Sequence, residues 1–151
     1  MTEDEVNRVV EKWLISQGYK YKGVNKTRKL SRRDKHSDNN VGQVPVPDGY
    51  RQVLIDHQGI MDNPIDLLWV EAKGSNTGMS QLLEGFIRMA YAVYHGGGKG
   101  ILATPTIEYQ QIKEQEGFLR AIAIASDKSL GLLNAETYCL YWLEKEIDNV
   151  Y

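Results

Sequence analysis

Val6, Val9, Val10, Trp13 and Leu14 recur three to four positions apart between charged residues. That spacing predicts an amphipathic helix over residues 3–17. Thr2 and Glu5 stand at the separation of a capping box, and Gly18 is placed to stop the helix. Residues 19–24 and 50–56 read as strands, the second built on Val53-Leu54-Ile55. The run from Ile65 to Lys73 is the clearest strand, nearly apolar through its middle, a pattern typical of the centre of a sheet. Leu82, Leu83, Phe86, Ile87, Ala90, Val93 and Tyr94 fall on one helical face, and His95-Gly96-Gly97-Gly98 ends that helix. Gly100 to Ala103 form a short apolar strand before Pro105. Residues 107–125 are expected to be helical, 130–133 extended, and 138–147 a last helix. No internal repeat is visible. Helix, three strands, helix, strand, helix, strand, helix is the order of a mixed α/β sandwich around one central sheet.

A chain of 151 residues is the size of one domain, here taken as 1–151, and can bury a core without disulfides or a structural metal. An apolar fraction of 42% and a charged fraction of 25% are ordinary for a globular fold. The single Cys139 excludes an internal disulfide and any multi-cysteine zinc site, and fits a reducing, cytoplasmic setting. No apolar run reaches the length of a membrane span, and the acidic start, Met1-Thr2-Glu3-Asp4-Glu5, is unlike a secretory signal.

Charge changes this picture more than composition does. Residues 20–35 hold eight Lys and Arg against one acid, Asp34, for a charge of +7; the whole chain carries −2, so the remainder carries −9. Such asymmetry marks an interaction surface for a polyanion. Lys26, Arg28, Lys29, Arg32, Arg33 and Lys35 are the candidate nucleic-acid contacts, on a basic insertion spanning about residues 25–45. The bland alternative is a solvated loop.

Glu71 and Lys73 end the most apolar strand. Being two residues apart they share one face, with Leu67 and Trp69, while the small Ala72 faces the other way and can pack under a helix. Charges at the end of a central strand are costly unless paired or bound to metal; the alternative is a surface pair where the strand emerges. If residues 50–56 and 65–73 form a hairpin turning near Gly59, Asp48 faces Glu71. Two carboxylates and an ammonium on one sheet edge make an oxygen-ligand site for Mg²⁺ with a lysine beside the attacking water.

Pro47-Asp48 followed by Glu71-Ala72-Lys73 resembles the signature of the PD-(D/E)xK nuclease superfamily. The longer string Pro47-Asp48-Gly49, Pro64-Ile65-Asp66, Val70-Glu71-Ala72-Lys73 is similar to the cleavage domain of type IIS restriction endonucleases. The resemblance spans residues 3–105 in outline. It implies a restriction endonuclease-like three-layer α/β/α sandwich with a central mixed sheet. It also implies an Mg²⁺-dependent endonuclease on DNA, with Mn²⁺ as a substitute and a homodimer to cut both strands. Carried over, Asp48 and Glu71 hold the metal and Lys73 acts on water. Gln81 matches a glutamine early in the next helix, and Glu5, or Glu3, matches an acid from the first helix. Asp56 is the rival to Asp48: a turn at Asp62-Asn63-Pro64 would set position 56 opposite 71. Asp66, five residues before Glu71, falls on the opposite face.

Other signals are weaker. Gly96-Gly97-Gly98-Lys99-Gly100 lacks the spacing of a phosphate loop and follows a helix, so it reads as a helix stop. His36, His57 and His95 have no ligand spacing. Two further functional classes stay open: a catalytically silent nucleic-acid-binding relative, and a small α/β protein unrelated to nucleic acid.

Overall fold

The computed structural model describes residues 1–23, 43–44 and 53–143. The elements are α1 (Glu3–Ser16), β1 (Lys20–Gly23), β2 (Gln43–Val44), β3 (Val53–Leu54), β4 (His57–Asp62) and β5 (Ile65–Ala72). They continue with α2 (Met79–Gly96), β6 (Lys99–Thr104), α3 (Thr106–Lys113), α4 (Glu116–Ser126), β7 (Leu130–Asn134) and β8 (Leu140–Leu143). Six strands form one mixed sheet in the order β1-β4-β5-β6-β7-β8, and β2 and β3 form a separate pair. β5, β6 and β7 run parallel; the other neighbours are antiparallel.

Alternation along the central strands explains the three layers. Leu68, Val70, Ala72, Ile101 and Ala103 point to one face, where they meet Val6, Val10, Trp13 and Leu14 of α1. Trp69 and Leu102 point to the other, where they meet Leu82, Phe86, Met89 and Val93 of α2 with Tyr109, Ile112, Leu119 and Ala123 of α3 and α4. A sheet apolar on both faces has to be covered on both, so the expected three-layer α/β/α sandwich is what forms. The α1 start is the expected capping box: Thr2 Oγ1 accepts from Glu5 N and Glu5 Oε1 accepts from Thr2 N. Gly18, at φ +93°, takes the left-handed conformation open to glycine as the chain leaves the helix.

Five expectations need correction. The hairpin before the motif does not turn near Gly59; β4 runs through it, and Asp62 pairs with Ile65 across Asn63-Pro64. Gly59 lies within the strand because Tyr19 crosses over it: a Cβ there would sit 3.0 Å from the Tyr19 ring. The strand expected over 50–56 contributes only Val53–Leu54, in the small β2–β3 pair, with residues 50–52 outside the described part. The helix expected over 138–147 is instead β8, antiparallel to β7; residues from 144 onward lie outside the described part. Asn134 makes that hairpin, its Oδ1 accepting from Glu136 N and Thr137 N and its backbone O from Tyr138 N. The segment 107–125 is two helices, broken at Glu114-Gln115. On α2 the buried stripe runs through Gly85 and Met89, leaving Ile87 and Tyr94 exposed.

Candidate active site

The β4–β5 register sets the site. His57 pairs with Val70, so the preceding Asp56 comes alongside Glu71. Both are 1% exposed. Asp56 N donates to Glu71 Oε1 at 3.3 Å, and Ala72 N donates to Asp56 Oδ2 at 2.9 Å. Two carboxylates are thus held side by side by the backbone at the end of a hairpin, a placement that demands compensating positive charge.

Two basic residues lie close by, Lys73 just after β5 and Arg88 on α2. Lys73, half-buried, follows Ala72 on the Glu71 face, its backbone N donating to Ala103 O at 3.0 Å. Gly85 of α2 lies over the pair: a Cβ there would be 3.0 Å from Lys73 Cε and 3.6 Å from Glu71 Cγ. One turn further along, Arg88 Nε stands 4.0 Å from Glu71 Oε2. The absence of a side chain at position 85 lets the helix approach while the charged side chains pass beneath it.

The turn leaving Lys73 is fixed as well. Gly74 leaves room for α1, since a Cβ there would lie 2.4 Å from Glu3 N. Ser75 N donates to Met1 O, and Thr77 Oγ1 donates to Gly74 O. The buried Glu108 of α3 accepts from Asn76 N at 3.0 Å. Behind Asp56, on the α1 face, His57 Nε2 meets Asn7 Oδ1 at 2.6 Å and Nδ1 meets Tyr21 Oη at 2.7 Å. With the amide oxygen as acceptor, Nε2 carries the proton and Nδ1 of a neutral ring accepts from the phenol. Burial, then the charges of Glu11 and Asp56, push the Tyr21 phenol well above its ordinary range.

Of the residues named from the sequence, Glu71 and Lys73 share the face expected of them. Asp48 lies outside the described residues, as do Lys26, Arg28, Lys29, Arg32, Arg33 and Lys35. The carboxylate that the described hairpin brings to Glu71 is Asp56. Gln81 is exposed on the first turn of α2, on the stripe that continues through Gly85 to Arg88. Glu5 closes the α1 cap, and Glu3 is exposed at the α1 start; α1 covers the sheet face opposite Glu71. Asp66 binds elsewhere, accepting from Tyr19 Oη and pairing with Lys99 Nζ at 2.9 Å. Gly97 and Gly98, at φ +82° and +85°, end α2, and Gly97 O accepts from Trp69 Nε1. Gly85 carries no signal of its own in the sequence, whereas Arg88 falls on one helical stripe with Gln81, seven residues on. Among the described residues no group of three or more His, Cys, Asp or Glu is placed to hold a metal, and no helix is long and apolar enough to cross a membrane.

The arrangement defines an α/β/α sandwich with a buried acid pair at one end of its sheet and two basic residues, Lys73 and Arg88, nearby. Among solved structures the chain is similar to an XisH family protein from Nostoc punctiforme PCC 73102, with a TM-score of 0.54 and 15% identity over 93% of this chain and 100% of that one. It is similar to the same degree to a FdxN element excision controlling factor protein from Anabaena variabilis, with a TM-score of 0.55 and 16% identity over 93% and 99%. These likenesses are of fold. No family model matches the chain, and no curated protein matches it.

Proposed function

We propose that the protein is a metal-dependent DNA endonuclease of the PD-(D/E)xK type, with Asp56 and Glu71 as the carboxylates and Lys73 as the lysine of its site. The observation that carries this reading is the pairing of Asp56 with Glu71 across the β4–β5 hairpin, with Lys73 on the Glu71 face under Gly85. Two carboxylates fit Mg²⁺, which commonly takes one or two from the protein and completes its shell with water and phosphate. A bound cation would supply Lewis-acid polarisation of the phosphoryl group and a more acidic water. The chain's own part is to hold the carboxylates rigid. Glu71 is fixed by the Asp56 amide and Asp56 by the Ala72 amide. The Lys73 ammonium, on the same face, orients the attacking water. Gln81, exposed on the first turn of α2, is assigned to the DNA backbone.

The excision-controlling function named for one structural neighbour supports a role in DNA rearrangement. We assign the basic insertion at about residues 25–45 to duplex binding. α4 supports a homodimer: Phe118 is 52% and Ile124 41% exposed on a helix whose buried residues are Leu119 and Ala123, an apolar outer face of the kind that marks association.

The test is incubation with supercoiled plasmid, a four-way junction and single-stranded RNA, each in Mg²⁺, Mn²⁺ or EDTA. Cleavage of a DNA substrate with either metal and none in EDTA is expected. Asp56→Ala, Glu71→Ala and Lys73→Ala should each abolish it, and Asp66→Ala should not. An inactive Asp48→Ala beside a fully active Asp56→Ala would move the second carboxylate to Asp48. Full activity of Glu71→Ala would remove the mechanism.

A further inference from the structure

Arg88 is held by its electrostatics at the site and not by hydrogen bonds to it. Its Nε is 4.0 Å from Glu71 Oε2, beyond hydrogen-bond range, and its Nη1 is 3.7 Å from Glu84 Oε1 one turn earlier. The Glu71 side chain is 2% exposed and that of Arg88 37%. The guanidinium therefore has one side on the buried carboxylate and the other toward solvent, where Glu84, 64% exposed, pulls it outward. A guanidinium keeps its proton in any ordinary medium and matches phosphate oxygens in a planar fork. A cation in loose contact with a prospective metal ligand and partly open to solvent can serve two anions in turn.

We propose that Arg88 is an exchangeable counter-ion. It neutralises Glu71 while no divalent cation is bound, and turns to a substrate phosphate when the cation takes that carboxylate. This rests on the metal-nuclease reading and deepens it, by assigning a phosphate-contacting residue on α2 apart from the strand motif. The exchange requires only rotation of a long, partly solvated side chain; the backbone of α2 stays fixed by its packing on Trp69 and Leu102.

The experiment uses the full chain with Arg88→Gln and Arg88→Lys. Calorimetric titration with Ca²⁺ and no DNA measures the counter-ion role. With the competing charge removed, Arg88→Gln should bind Ca²⁺ roughly three- to fivefold more tightly, the scale of a partly exposed ion pair. Salt titration of duplex binding in Ca²⁺ measures the phosphate role. The slope of log affinity against log salt should fall by about 0.9 in Arg88→Gln, one phosphate contact, and stay near wild type in Arg88→Lys. An Arg88→Gln protein with unchanged or weaker Ca²⁺ affinity, or with an unchanged slope, overturns the proposal. Glu71→Gln separates the two levels of argument. Loss of Ca²⁺ binding there, with Arg88→Gln unchanged, removes only the role of Arg88. Wild-type Ca²⁺ affinity in Glu71→Gln removes the cation reading and this inference with it.

Discussion

Gly85→Ala should separate stability from the proposed activity where α2 approaches Lys73 and Glu71. A Cβ at this position meets Lys73 Cε at 3.0 Å, Leu102 Cδ1 at 3.4 Å and Glu71 Cγ at 3.6 Å. Two effects oppose each other. Alanine in a helix interior is worth about 1 kcal/mol over glycine. Against that, the one tight contact is with the far end of a flexible lysine, which yields by a few tenths of an ångström; the other two are at or near ordinary van der Waals distance. The net expectation is a protein between unchanged and about 1 kcal/mol more stable, a rise in Tm of up to roughly 3 °C for a domain of this size. Activity should move the other way. A misplacement of about 1 Å costs on the order of a hundredfold in rate, so a shift of a few tenths should cost about three- to tenfold. Thermal melts and plasmid cleavage in Mg²⁺ at saturating DNA measure the two sides. Gly117→Ala, helical with nothing within 4 Å of an added Cβ, is the control for the helix-propensity gain in the melts. A loss of more than about 1 kcal/mol in Gly85→Ala would mean that α2 cannot yield to one methyl group. Wild-type cleavage by a normally stable Gly85→Ala would show that the position of the Lys73 ammonium does not matter to the reaction.

Changing Arg28, Lys29, Arg32 and Arg33 together to Gln should flatten the salt dependence of duplex binding by about 3–4 in log–log slope if all four meet phosphates; an unchanged slope would assign DNA binding elsewhere. Phe118→Asp should lower the sedimentation mass of the protein from two chains to one, and an unaltered mass would exclude the α4 face as the interface. Burial would raise the Asp66 carboxyl, but the hydrogen bond from Tyr19 and the Lys99 ammonium outweigh it and hold it below its ordinary range. Its contribution to stability is therefore present above the unfolded-state value of about 3.9 and disappears as pH falls through the folded-state value. In urea melts from pH 7 to pH 2, the advantage of wild type over Asp66→Asn should shrink across that acid window; a constant difference would refute the linkage.

The parts of the fold legible in the sequence are those where one physical signal dominates. α1 carries an unbroken apolar period and a capping box; β5 is apolar on both faces; α2 ends in three glycines. Where two signals compete, pattern alone misleads. Gly59 is a turn residue by propensity, yet in β4 it is the one residue that lets Tyr19 lie across the strand, a close-approach role for glycine that only the tertiary contact reveals. Reading it as a turn shifts the hairpin register and exchanges Asp56 for Asp48 opposite Glu71. The same ambiguity governs Leu140-Tyr141-Trp142-Leu143. Four apolar residues fit a helix or a strand equally, and the decision is made by Asn134, whose side chain accepts from the two amides of the turn. The site follows the same division. Glu71 and Lys73 were legible because alternation along one strand fixes their shared face. Across the hairpin the sequence offers both Asp48 and Asp56, and only the register separates them; the partner under the helix depends on an absent Cβ at Gly85 and has no such signal. Register is thus the quantity that turns a three-residue motif into a candidate site: a turn at Asn63-Pro64 places a buried acid at position 56, and the Ala72 amide that holds its carboxylate is available only in that alignment.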